Sequence, residues 1–96
     1  MTFENVSQIA ATLNLSAEQL FQEALVSLLR EKKREVLQAR LEFLNRHRVV
    51  SADELETHVR EGLVIEHPAW EDLITIENLE ARLEELDGYL ADLQGA

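Results

Sequence analysis

The sequence predicts an all-α protein with two long and two short helices, packed in the manner of a coiled coil and pairing with a second copy. Three observations carry this. Of 96 residues only three are Gly and one is Pro, too few for the turns of a β-rich chain. Apolar residues recur at spacings of three and four along most of the chain. Residue pairs suited to capping helix starts stand in front of these periodic runs.

The first short helix carries Val6, Ile9, Ala10 and Leu13 on one face, with Glu4 or Asn5 at its start. Asn14, which tolerates the left-handed conformation, stands at its end. In the next segment Ser16 and Gln19 have the spacing of a capping box. A broad apolar face of Leu20, Phe21, Ala24, Leu25, Leu28 and Leu29 follows. The charged run from Arg30 to Glu35 interrupts that face, yet its residues are good helix formers, so one long helix is expected over 17–47. Ser51 and Glu54 suggest a second capping box and a short helix that buries Leu55 and Val59 and ends at Gly62. Leu63, Val64 and Ile65 read as an extended link able to pair as a strand. Pro68 marks the last start, expected at the first helical position, where its missing N–H costs nothing. From there Ile76, Leu79, Leu83, Leu86, Leu90 and Leu93 form a heptad seam, with Gly88 inside it as a weak point.

The length allows one domain. Its charge is divided unequally. Residues 1–50 hold six acids and seven bases, a near-neutral half suited to dimerisation or DNA contact. Residues 51–96 hold thirteen acids and two bases, Arg60 and Arg82, so nearly the whole net charge of −10 resides there. Such asymmetry points to different partners for the two halves, the acidic one facing a basic surface. With no cysteine, disulfides and thiolate metal sites are excluded. No apolar run is long enough to cross a membrane and no basic leader precedes an apolar stretch, which makes the cytoplasm the expected location.

Catalytic constellations are not evident. His47, His58 and His67 lack the spacing of shared metal ligands on a helix, and no nucleophile–base or Gly-rich phosphate motif occurs. The expectation is a non-enzyme without metal or cofactor. Residues 9–20 resemble the core of a helix-turn-helix, but the helix that would enter the groove begins with Glu18 and Glu23. The usable basic patch for nucleic acid is Arg30, Lys32, Lys33 and Arg34. Trp70, the only Trp, stands near Pro68 at the head of the acidic last helix, where a partner-binding anchor is expected.

Three segments carry a family resemblance: Leu15-Ser16-Ala17-Glu18-Gln19-Leu20, Ser51-Ala52-Asp53-Glu54-Leu55, and Glu66-His67-Pro68-Ala69-Trp70-Glu71-Asp72. With these the chain resembles small acidic prokaryotic antitoxin-like proteins of toxin–antitoxin pairs. Where that group carries a second aromatic, this chain has Ile76. The resemblance implies a protein that binds and neutralises a basic, toxin-like partner encoded beside it. It assigns the contact to His67, Pro68, Trp70, Glu71, Asp72, Ile74 and Ile76 of the acidic half. The alternatives are a helical homo-oligomeric adaptor whose leucine seam pairs copies, and a small DNA-binding regulator using residues 5–34.

Overall fold

The computed structural model describes residues 2–95 and consists of four helices: α1 (Phe3–Thr12), α2 (Ala17–Arg46), α3 (Ala52–Arg60) and α4 (Glu66–Gly95). Among the described residues there is no strand, and the 63–65 link is a turn between helices. No helix is long and apolar enough to cross a membrane among them.

Helix starts follow the capping logic, with three adjustments. Ser16 accepts from Gln19 N–H at 3.0 Å, and the Gln19 side chain accepts from Ser16 N–H at 2.8 Å, so the expected box at α2 is complete. At α1 the cap is Thr2 rather than Glu4 or Asn5. Asn5 instead supplies the reciprocal group, accepting from Thr2 N–H at 3.1 Å. At α3, Ser51 caps Glu54 as expected, but the Glu54 carboxylate reaches one residue further back, to Val50 N–H at 2.9 Å. The fourth helix begins two residues before Pro68. The first of its bonds runs from Ala69 N–H to Ile65 C=O at 3.3 Å, which leaves Pro68 among the opening positions that have no intrahelical acceptor. Its ring is therefore as harmless there as at the first position.

The ends share one device. Asn14 (φ 59°), Arg48 (φ 55°) and Gly62 (φ 70°) each adopt the left-handed conformation just after α1, α2 and α3. In each case the next residue's N–H bonds back across five residues: Leu15 to Ala10, Val49 to Leu44, and Leu63 to His58. These are Schellman closures, which satisfy the last carbonyls of a helix and turn the chain sharply. At α2 the closure drives Val49 into the core beside Leu44.

The long helices α2 and α4 run antiparallel against each other, and α3 packs across the start of α4. The seam read in the sequence is the face of α4 that meets α2: Ile76, Leu86 and Leu90 are buried, and Leu79, Leu83 and Leu93 are half-buried. It extends backward through Leu73 and Ala69. The adaptor reading assigned this seam to pairing between copies, but here it is filled within the chain. On α2 and its C-cap the matching positions are Leu29, Lys33, Val36, Arg40, Phe43 and His47, again at alternating spacings of four and three. The main core is where α2, α3 and α4 converge: Leu44, Val49, Leu55, Ala69, Leu73 and Ile76.

Gly88 lies in α4 with open space where a Cβ would stand. Gly88→Ala is therefore expected to stabilise the protein by about 1 kcal/mol, read as a rise in the urea midpoint at unchanged slope.

Candidate partner-binding surface

Three polar side-chain ties fix the register between α2 and α4. Lys33 Nζ meets Asp87 at 2.7 Å, Arg40 Nε meets Glu80 at 3.1 Å, and His47 Nε2 meets Asp72 at 2.6 Å. Arg46 joins the last tie, donating to both Asp72 oxygens at 3.3 and 3.2 Å while lying over the Phe43 ring at 4.7 Å. At the far end Gln22 donates to the Leu93 carbonyl at 2.8 Å. The α2 face described as interrupted in the sequence is thus continuous. Lys33 and Arg40 occupy seam positions, with their stems along the apolar face and their charges on acids of α4.

This pairing sorts the acids of α4 into two sets. Asp72, Glu80 and Asp87 each pair with a base of α2, and of the three only Asp72 is buried. Glu66, Glu77, Glu84, Glu85 and Asp92 form no ion pair among the described residues, and Glu71 meets only the exposed His67, at 3.5 Å. The outer side of α4 is accordingly a solvated acidic strip, and Arg82, the one Lys or Arg of the helix, borders a groove against Lys32, Glu35 and Val36 of α2.

The contact residues expected from the sequence divide the same way. His67, Pro68, Trp70, Glu71 and Ile74 are exposed near the start of α4. Trp70 and Ile74 stand one helical turn apart and so present neighbouring side chains. Trp70 is 39% exposed, its Nε1–H donating to Glu66 at 3.3 Å, and Ile74 is 56% exposed. Asp72 and Ile76 are turned the other way and are corrections to the expected contact set. Ile76 is fully buried, and Asp72, only 9% exposed, is the buried charged residue that His47 and Arg46 satisfy. Neither offers a surface to a partner. Leu63 and Ile65, just before α4, are exposed as well. Their apolar character was visible in the sequence, but as a possible strand.

The basic patch is largely spent on neighbours. Arg34 holds Glu31 at 2.6 Å, Lys32 meets Glu35 at 3.4 Å, and Lys33 is bound to Asp87. The Arg34 hydrogen bond draws the Glu31 carboxyl below its usual pKa, and Glu31 in turn raises that of Arg34. Arg30 has no ion pair among the described residues and borders a shallow polar groove with Gln19, Gln22 and Gln94. One free cation amid paired ones is a poor match to a phosphate backbone, which needs several.

Among the described residues no three His, Asp, Glu or Cys side chains come together as a metal site. His58 lies 3.8 Å from Glu54, so the three histidines stand in three separate acid pairs.

No curated protein and no solved structure matches the chain. A family model does so over residues 1–96. The chain therefore belongs to the Uncharacterized protein MJ0235 family.

Proposed function

We propose that this protein is a binding protein that occupies a basic surface on a protein partner, with the outer face of α4 as the contact. The observation that carries this reading is the sorting of charge on α4: three acids pair with α2, while Glu66, Glu71 and Glu77, around Trp70 and Ile74, have no Lys or Arg partner among the described residues. A half-exposed Trp flanked by an exposed Ile supplies the apolar anchor that such an interface needs, and surrounding acids supply steering toward a positive patch. Leu63 and Ile65 widen the apolar part of the surface.

In its sharper form the partner is a toxin-like protein encoded next to this chain. Such proteins act on nucleic acids through basic clefts, and an acidic helix placed in that cleft competes with the phosphates. The antitoxin-like segments of the sequence support this form, and the fold supplies it with a rigid acidic helix.

Co-expression with the product of the adjacent gene tests the reading. The two proteins are expected to co-purify at low salt and to separate as salt rises. Trp70→Ala is expected to reduce recovery of the partner about 30-fold at fixed salt, the loss of a typical hot spot of about 2 kcal/mol. Equal recovery with wild type, Trp70→Ala and a Glu71→Gln/Glu77→Gln variant would remove α4 as the contact.

A further inference from the structure

The chain carries a second apolar surface, far from the start of α4 along the molecule. Of α1, only Ala10 is buried. Phe3 and Ile9 stand exposed on that helix and Leu13 just after it, and on α2 Phe21 and Leu28 are exposed too, Phe21 at 71%. Between the two helices lies a groove of about 310 Å³ lined by Val6, Ile9, Leu20, Phe21 and Ala24. Large apolar side chains around an apolar groove mark an interaction surface in a protein of this size.

We propose that this α1–α2 face is covered by a second copy of the same chain. The first argument is area. A compact 11.0 kDa protein exposes about 5,600 Å², whereas this chain exposes 7162 Å². Its radius of gyration is 19.5 Å, against about 12 Å for a compact chain of this length. The elongated chain, 60 × 26 × 17 Å, thus exposes roughly 1,500 Å² more than a compact body of its mass, and part of that surface is the apolar α1–α2 face. The second argument is charge. A two-fold interface sets a patch against itself, so its charges meet their own kind. The outer face of α4, which carries Glu71, Glu77, Glu84 and Glu85, repels a copy of itself. The α1–α2 strip from Phe3 to Leu28 carries only Glu4, Glu18 and Glu23 as charged groups. With the leucine seam filled internally, this is the apolar face left for self-association. In the proposed arrangement Phe21 of each copy enters the groove of the other between Val6, Ile9 and Ala24.

Sedimentation equilibrium of the full chain tests the proposal. The expected mass is twice 11.0 kDa at micromolar concentration. Phe21→Glu is expected to weaken the dimer by at least about 100-fold, because it places a charge in an apolar contact. Its helical circular dichroism is expected to be unchanged, since Phe21 makes little contact within its own chain. Phe21→Ala serves as a milder variant, expected to weaken the dimer about tenfold or more. Trp70→Ala is expected to remain dimeric, and Phe21→Glu to retain capture of a basic partner, so this proposal and the proposed function fail separately. A wild-type mass of 11.0 kDa, or a dimer that persists in folded Phe21→Glu and Phe21→Ala, would overturn it.

Discussion

Ile76→Ala is expected to lower the free energy of unfolding by about 3 kcal/mol, and Ile74→Ala, two residues away, by less than about 1 kcal/mol. The chemistry removed is the same in both. What differs is the face of α4 on which each side chain stands. Ile76 is fully enclosed among Leu44, Val49, Leu55, Ala69 and Leu73, so truncation removes its burial and leaves a cavity that a rigid core only partly closes. Ile74 is 56% exposed and leaves little behind. The core at this junction is thin, which makes a loss of this size a large share of the stability of a small domain. Urea unfolding of both variants at one fixed protein concentration reads the difference, the concentration being held because association contributes to apparent stability. Equal losses for the two would mean that the phase of α4 against α2 is wrong.

The second large effect is expected at Asp72. Its carboxylate takes the Nε2 of His47 and the guanidinium of Arg46, and both His47 and Asp72 are largely covered, with side chains 12% and 13% exposed. Asp72→Ala leaves the covered imidazole without that partner and opens a gap between α2 and α4. A cost of about 2–3 kcal/mol follows, below that of a fully buried ion pair because Arg46 is 60% exposed and reaches water on its own. Asp72→Asn keeps the shape and one acceptor oxygen but not the charge, and its stability is expected to fall between the two. Circular dichroism against urea checks the order: wild type, then Asn, then Ala. If Asp72→Ala matched wild type, the tie would contribute nothing to joining the helices.

These two residues also mark where the sequence was legible and where it was not. The extent of α2 follows from Ser16, Gln19 and the absence of helix breakers, all local signals, and the seam from Ile76 to Leu93 follows from spacing. Extending that spacing backward through Leu73 and Ala69 places Asp72 on the inward side. Its partners, however, lie 25 and 26 residues earlier in the chain, and no local pattern announces them. An acid in the opening turns of a helix has an ordinary explanation in the helix dipole, which conceals its pairing. Lys33 and Arg40 hid the α2 seam for a related reason. A base at a seam position breaks the apolar pattern until its opposing acid is known, and Asp87 and Glu80 are more than 35 residues away. The start of α4 shifted for a simpler reason, since any of the opening positions of a helix accepts proline. Of the expected contact set, the exposed His67, Pro68, Trp70, Glu71 and Ile74 share the start of α4, and the inward Asp72 and Ile76 belong to the joint that holds it.

The same division gives the molecule two surfaces of opposite character. The α1–α2 face is apolar and sparsely charged, which suits a copy of itself. The outer face of α4 is acidic and carries an aromatic anchor, which suits something else. The tie at Asp72 holds the start of α4 against α2, so the acidic face is presented by a braced helix, and less ordering entropy is lost on binding.

The most direct measurement is the affinity of the wild-type protein and of a Trp70→Ala/Ile74→Ala variant for the adjacent gene's product, determined by calorimetry over a series of salt concentrations. Binding by the outer face of α4 predicts a wild-type affinity that falls steadily as salt rises and a loss of about 100-fold in the double variant at any one salt concentration. An affinity indifferent to salt, together with equal binding by the double variant, would contradict it.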